Sequence, residues 1–260
     1  MTCRICSNST VPFAEALILG KHTVRYFSCE HCGFIQTEEP YWLSEAYSSA
    51  ITQSDVGLVS RNLIFATIGK AVIRTFFDAN ARFLDYGGGY GLLVRLMRDA
   101  GFDFYRYDKL CVNLLAEGFD IEEHSPGAIE LLTAVEVFEH LAQPLDTIAH
   151  MLHFSKNILF TTELIPPHRP RPGEWPYYGI EHGQHVGLYT ATALAIIADR
   201  FHLNFYSNGK SFHLFTEKKI SAFLFKWVTH YRAARLIEMA PARQSLLAQD
   251  HARAAQEHPG

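Results

Sequence analysis

The segment Phe83-Leu84-Asp85-Tyr86-Gly87-Gly88-Gly89-Tyr90-Gly91 constrains this chain more than any other. A short apolar run, of the length of a buried strand, leads directly into a glycine cluster. Leu92 to Ala100 then follows with helical spacing, and Gly101 stops it. Glycines belong where a chain turns sharply or where a ligand must approach the backbone. The helix start beyond them supplies N–H groups that have no intrahelical partner. A strand, a tight loop and a helix in that order form the repeating unit of a parallel sheet, because parallel strands need crossover connections.

The alternation continues downstream. Phe104 to Asp108 reads as a second strand, and Glu130 to Val135 and Asn157 to Thr162 as two more, with a helix from Leu145 to Phe154 between them. Leu203 to Tyr206 and Ser211 to Thr216 flank Asn208-Gly209, a tight-turn pair, so the sheet should end in an antiparallel hairpin. At 260 residues, 48% hydrophobic and 19% charged, the chain can bury one such domain and a small appendage. The net charge of −4 advertises no basic field for nucleic acid, so the expected partner is a small molecule. No apolar run is long enough to span a bilayer, since Ile220 to Val228 is short and cut by Lys226. Met1-Thr2-Cys3-Arg4-Ile5-Cys6 does not resemble a secretory leader, so a cytoplasmic protein is expected.

Four regions are expected: a metal-binding module over 1–40, a connector and helical lid over 41–80, the sheet domain over 81–217 and a helical tail over 218–260. Within the second, apolar residues recur at helical spacing from Asp55, a plausible N-cap, to Asp78.

Two cofactor classes use a glycine loop followed by an acidic residue at the end of the next strand, here Asp108, which lies 23 residues after Asp85. The dinucleotide fingerprint needs a third small residue where this chain has Leu92, which disfavours a nicotinamide-dependent oxidoreductase. Asp85, Gly87, Gly89 and Gly91 instead resemble the first motif of class I S-adenosylmethionine-dependent methyltransferases, with Asp108 accepting from the ribose hydroxyls. That resemblance implies a Rossmann-like, mostly parallel seven-stranded sheet with the antiparallel terminal hairpin. Leu132-Thr133-Ala134-Val135-Glu136-Val137-Phe138-Glu139-His140-Leu141 is similar to a second stretch of the same superfamily. By that analogy Val135 and Glu136 lie near the sulfonium. Glu139 and His140 then either contact a ligand or form an acidic helix start with a capping histidine.

Cys3-x-x-Cys6 and Cys29-x-x-Cys32 are separated by 22 residues. Two such turns present four thiolates to one tetrahedral ion, so a structural Cys₄ zinc site is expected, with no open position for catalysis. Gly33, directly after the second pair, suits a left-handed turn. Cys111 reads as a packing residue.

Residues 164–187 carry five prolines and several glycines and exclude a regular element, yet concentrate Trp175, Tyr177, Tyr178, Glu181, His182 and His185. A loop beyond the carboxyl end of a strand can reach a bound ligand. Histidine and glutamate supply general-base chemistry, and aromatic rings shape a pocket. With the paired cysteines and the glycine loop, this resembles zinc-containing sugar C-methyltransferases, whose further C-terminal domain has no counterpart in these 260 residues. The resemblance implies a base among His185 and His182, with Glu181 assisting, and an acceptor wall of Trp175, Tyr177 and Tyr178. Glu181-His182 reproduces the family's pair, whereas Gln184-His185 has the better spacing to Tyr189-Thr190 but carries Gln in place of Glu. Structural histidines, a histidine metal site and a scaffold that binds cofactor without catalysis are the alternatives.

Overall fold

The computed structural model describes residues 1–48, 56–124, 127–239 and 241–257. In chain order its strands and helices are β1 Thr10–Ile18, β2 His22–Cys29, β3 Ile35–Thr37, α1 Leu43–Ala46, α2 Leu58–Phe76, β4 Arg82–Tyr86, α3 Leu92–Asp99, β5 Asp103–Tyr107, β6 Ile129–Ala134, α4 Pro144–Phe154, β7 Ile158–Thr161, β8 Gly187–Leu188, α5 Ala191–Arg200, β9 Asn204–Ser207, β10 Phe212–Thr216, α6 Ala222–Val228, α7 Tyr231–Glu238 and α8 Leu247–Glu257. They form a six-stranded sheet of order β5-β4-β6-β7-β10-β9 and a four-stranded sheet of order β1-β2-β3-β8. No helix of the described residues is long and apolar enough to cross a membrane.

The α/β, Rossmann-like architecture is as expected. β4 runs parallel to both β5 and β6, and β9 and β10 form the antiparallel hairpin. The strand count is six rather than seven among the described residues. Beyond β5 the place of a further strand is held by a single parallel bridge, Arg106 to Asp120. Residues 108–119 turn repeatedly instead of running extended, so only this bridge forms, and the Arg106 guanidinium ties the stretch down by donating to the Asp120 carboxylate at 2.6 Å and to the Cys111 carbonyl. The expected N-cap of α2, Asp55, lies outside the described residues.

The chain folds as two compact units, each assembled from separate stretches. One comprises 56–135, 154–159 and 220–260. Phe83 and Leu84 of β4 and Leu131 and Leu132 of β6 are wholly buried, as befits strands covered on both faces. α3 packs through Leu93, Val94, Met97 and the aliphatic part of Arg98. The Arg98 guanidinium is itself buried, forms a two-pronged pair with Asp250 of α8 at 2.7 and 2.9 Å, and also meets Asp103 at 2.6 Å. Such a pair is orienting, because removal of one partner strands the other charge away from water.

The second unit comprises 1–55, 136–153 and 160–219. β1 was not foreseen; it pairs antiparallel with β2 through a bulge at Pro12/Ala14. β3 joins β2 on one side and β8 on the other, with Ile35 opposite Leu188. β8 is the short strand that ends the proline-rich stretch expected to be irregular throughout. Ile18, Val24, Tyr26, Ile35, Trp42, Tyr178, Val186 and Leu188 form this unit's core. The cysteine-bearing segment therefore shares a core with the proline-rich loop.

Candidate active site

In the first unit, β4 ends at Tyr86 and the chain turns through Gly87, Gly89 and Gly91, all with positive φ. Gly91, at φ +87°, is the N-cap of α3, and a Cβ there would come within 2.7 Å of Asn113 Oδ1 and 2.9 Å of Ala116 Cβ. Only glycine fits both the backbone and the space. Asp108 closes the loop from the other side. Its Oδ2 accepts from the Gly89 N–H at 2.9 Å, and its Oδ1 accepts from the N–H groups of Leu110 and Cys111 at 2.8 Å each. Arg106, which the sequence reading passed over, donates from Nε to the Gly89 carbonyl at 2.7 Å. The loop is thus braced at Gly89 from both its donor and its acceptor side.

Asp85 is buried at 3% exposure and accepts from Thr133 Oγ1 at 2.7 Å. Burial pushes its carboxyl up to about 7, the Thr133 hydrogen bond opposes that, and the nearby Asp108 charge adds to it. After β6, Val135 belongs to this unit and Glu136 opens the next. Glu136 stands at φ +53°, and its N–H donates to Thr161 Oγ1 at 2.9 Å. A non-glycine residue held in this region costs on the order of 1–2 kcal/mol and is characteristic of ligand-binding turns.

In the other unit, the four cysteine sulfurs converge. Cys3, Cys6, Cys29 and Cys32 each offer one Sγ within 4.8 Å of the others, with Cys6 3.4 Å from Cys29 and Cys3 3.6 Å from Cys32. Four thiolates on one tetrahedral zinc at ~2.3 Å stand ~3.8 Å apart, so the donor set fits. The hydrogen bond from Cys32 draws the Cys3 thiol down to about 5, and the same contact together with burial pushes Cys32 up. The Ile5 N–H and the Asn8 side-chain amide point at Cys3 and Cys6 sulfurs at 3.4 Å. Ser7 and Gly33, the residues after each pair, both have positive φ. Thr190, the N-cap of α5, donates to the Cys32 carbonyl at 2.5 Å, and its methyl lies 2.8 Å from where a Cβ on Gly33 would be.

The same unit gathers the histidines. The rings of His182 and His185, and of His185 and His140, have centroids 4.8 Å apart. His140 sits in a 3-10 turn, Phe138–His140, and its Nδ1 is 2.9 Å from the Tyr47 hydroxyl. Burial holds its imidazole well below the usual range, and the neighbouring His185 and His182 add to that. Glu139 is wholly buried. Its carbonyl accepts from the Val186 N–H at 2.8 Å, which pins the turn to the His185 loop. Of the residues expected at the site, Glu181 is exposed and Gln184 is buried, donating to the Ala46 carbonyl at 2.9 Å. Tyr178 stands in the unit's core with its hydroxyl donated to the Pro170 carbonyl at 2.8 Å. The Tyr177 hydroxyl accepts from the Glu163 N–H at 2.9 Å and meets Thr162 Oγ1 at 3.1 Å. Trp175 is partly exposed, its ring 5.0 Å from that of Tyr177.

A profile of a methyltransferase-domain family matches residues 61–208, more than half of the chain. The chain belongs to that family. The methyltransferase match overturns the nicotinamide alternative, in keeping with Leu92 at the third fingerprint position. No curated protein matches the chain closely enough to count. Among solved structures the methyltransferase domain is similar to TnmH, at 16% identity and a TM-score of 0.47 over 69% of this chain and 62% of that one. It is also similar to an O-methyltransferase family protein from Burkholderia thailandensis, at 12% identity and TM-score 0.47 over 71% and 65%, respectively. A third is magnesium protoporphyrin IX methyltransferase (ChlM) from Synechocystis PCC 6803 with bound SAM, at 10% identity and TM-score 0.40 over 67% and 89%. The chain thus spans under two thirds of the length of TnmH.

Sequence reasoning missed Arg106 and Thr133 within the methyltransferase domain, and Tyr47 before it. An arginine within the second strand was the one available signal for Arg106. Tyr47 lies 93 residues before its partner His140, and no local pattern joins them.

Proposed function

We propose that this chain transfers the methyl group of S-adenosylmethionine to a small-molecule acceptor, and that His185 removes the acceptor's proton. The cofactor would lie on the glycine loop, with Gly87, Gly89 and Gly91 giving backbone access, Asp85 behind the turn and Asp108 toward the ribose. Val135 and Glu136 would flank its methionine end. The bound cofactor supplies an electrophilic sulfonium methyl, so the chain's own task is to align the acceptor and take a proton.

The observation that carries the base assignment is the orientation of two rings. His185 Nδ1 lies 2.5 Å from the Tyr177 carbonyl, which accepts hydrogen bonds only. Nδ1 therefore holds the proton, and Nε2 keeps a lone pair. His182 is arranged the other way: its Nδ1 accepts from the Gln184 N–H at 3.2 Å, leaving the ring proton on Nε2. His185 is the base, and His182 is a donor beside it. Glu139, rather than the exposed Glu181, is the carboxylate within the cluster. Trp175 and Tyr177 form the acceptor wall, with Tyr178 supporting them from the core. Hydroxyl-bearing acceptors, sugars and sugar-containing metabolites among them, suit such a wall and base. Zinc held by the four cysteines would be structural, fixing the segment that pairs with β8.

The test is methyl transfer to extracted metabolites, paired with calorimetry using S-adenosylhomocysteine. His185→Ala should keep cofactor affinity and lose roughly 10²–10⁴-fold in turnover, while His182→Ala loses less. Equal, undiminished rates in both variants would overturn the base assignment. Cofactor binding without transfer to any metabolite fraction would favour the scaffold reading.

A further inference from the structure

Glu139, His140 and His185 come from two segments 45 residues apart, yet one ligand atom of each lies within 4.8 Å of the others. The Nδ1 of His140 is engaged by the Tyr47 hydroxyl and that of His185 by the Tyr177 carbonyl, so Nε2 is the ring nitrogen each would bring to a shared ion. A histidine that ligates a metal characteristically has its other nitrogen tied to an oxygen in this manner, which fixes tautomer and ring plane. The carboxylate of Glu139 is wholly buried beside the two rings and adds an oxygen donor to their nitrogens.

We infer that Glu139, His140 and His185 bind a borderline divalent cation, of the Zn²⁺ or Fe²⁺ class, through one oxygen and two nitrogens. The site differs in kind from the cysteine cluster. Four thiolates close a zinc ion's shell, whereas three N/O ligands leave positions open for water or substrate. The inference rests on the proposal that this cluster activates the acceptor, and it deepens it. A hydroxyl oxygen of the acceptor, bound at an open position, would lose its proton to water more readily under the ion's charge. His185 takes the proton directly in the metal-free protein and holds the ion once it is loaded.

The test reads metal content of the full-length protein, loaded with Zn²⁺ and desalted. About two ions per chain are expected, one for each cluster. His185→Ala and Glu139→Gln should each lower this to about one, with thermal unfolding and S-adenosylhomocysteine affinity as controls for folding. Should a glutamate variant fail to fold, His185→Gln with Co²⁺ loading serves instead. The wild type should show weak N/O-type cobalt bands besides the thiolate charge-transfer bands, and the variant should keep only the latter. A wild type that takes up only the cysteine-held ion, or variants with undiminished content, would overturn the inference. If that happens while His185→Ala still abolishes methyl transfer, the direct-base reading stands alone. A second ion lost with His185, in a protein that methylates nothing, upholds the metal site and removes the activity.

Discussion

The glycine-loop unit buries a carboxylic acid, and the cysteine-bearing unit buries imidazoles; the two should therefore respond to pH in opposite senses. Asp85 holds its proton up to about pH 7 in the folded chain but only to about 3.8 when unfolded. His213, between the Ser207 hydroxyl and the Thr162 carbonyl, is pushed by burial down to about 4 from 6.5. The difference teaches that each unit keeps its buried group neutral, because neither surrounds it with enough charge to sustain the ionised form.

The largest expected effect bears on the cysteine side. Removing the proposed zinc, by Cys32→Ser or a strong chelator, should destabilise the second unit by on the order of 5 kcal/mol, since binding energy of a structural metal is folding energy. Hydrogen exchange should rise in β2, β3 and β8 while β4 and β6 keep their protection. Uniform exposure of both units would break the comparison.

Gly91→Ala probes the other side. A Cβ in that left-handed N-cap, against Asn113 and Ala116, should cost roughly 2–5 kcal/mol. It should weaken S-adenosylhomocysteine binding in calorimetry and leave the cysteine-bound metal content unchanged.

The pH windows follow from linkage. Between about pH 4 and 7 the folded state retains the Asp85 proton that the unfolded state has released, so this contribution falls as pH rises. Between about 6.5 and 4 the unfolded state binds a proton that folded His213 refuses, so that contribution falls as pH drops. The first amounts to roughly 4 kcal/mol across its window and the second to roughly 3. Exchange rates corrected for intrinsic pH dependence should show β4 and β6 loosening toward neutrality and β9 and β10 loosening toward acid. Asp85→Asn should flatten the first trend and leave the second.

The smallest effect concerns the asymmetry between the two cysteine turns. Ser7 occupies at φ +61° the position that Gly33 fills in the second pair. Ser7→Gly should stabilise by at most about 1 kcal/mol, read as a rise in the denaturant midpoint at unchanged slope. A loss of stability would mean that the Ser7 side chain does more than tolerate the turn.

What could be read in the sequence was whatever depends on neighbours along the chain. The strand–glycine–helix run around Gly87 to Gly91, the two C-x-x-C turns with Gly33, and the Asn208-Gly209 hairpin are set by backbone freedom, chelate spacing and local periodicity. Single residues mark each of them. The tertiary structure alone decided which distant groups meet. Arg106 braces Gly89 and Asp120 together, in place of a further strand. Tyr47, Glu139 and His185 converge only because β3 pairs with β8 and the Glu139 carbonyl accepts from Val186. The proposal of His185 over His182 likewise rests on one carbonyl and one amide partner that side-chain spacing cannot supply. Hydrogen bonds and packing between remote segments depend on the closed chain, and a pattern over a few residues carries no record of them.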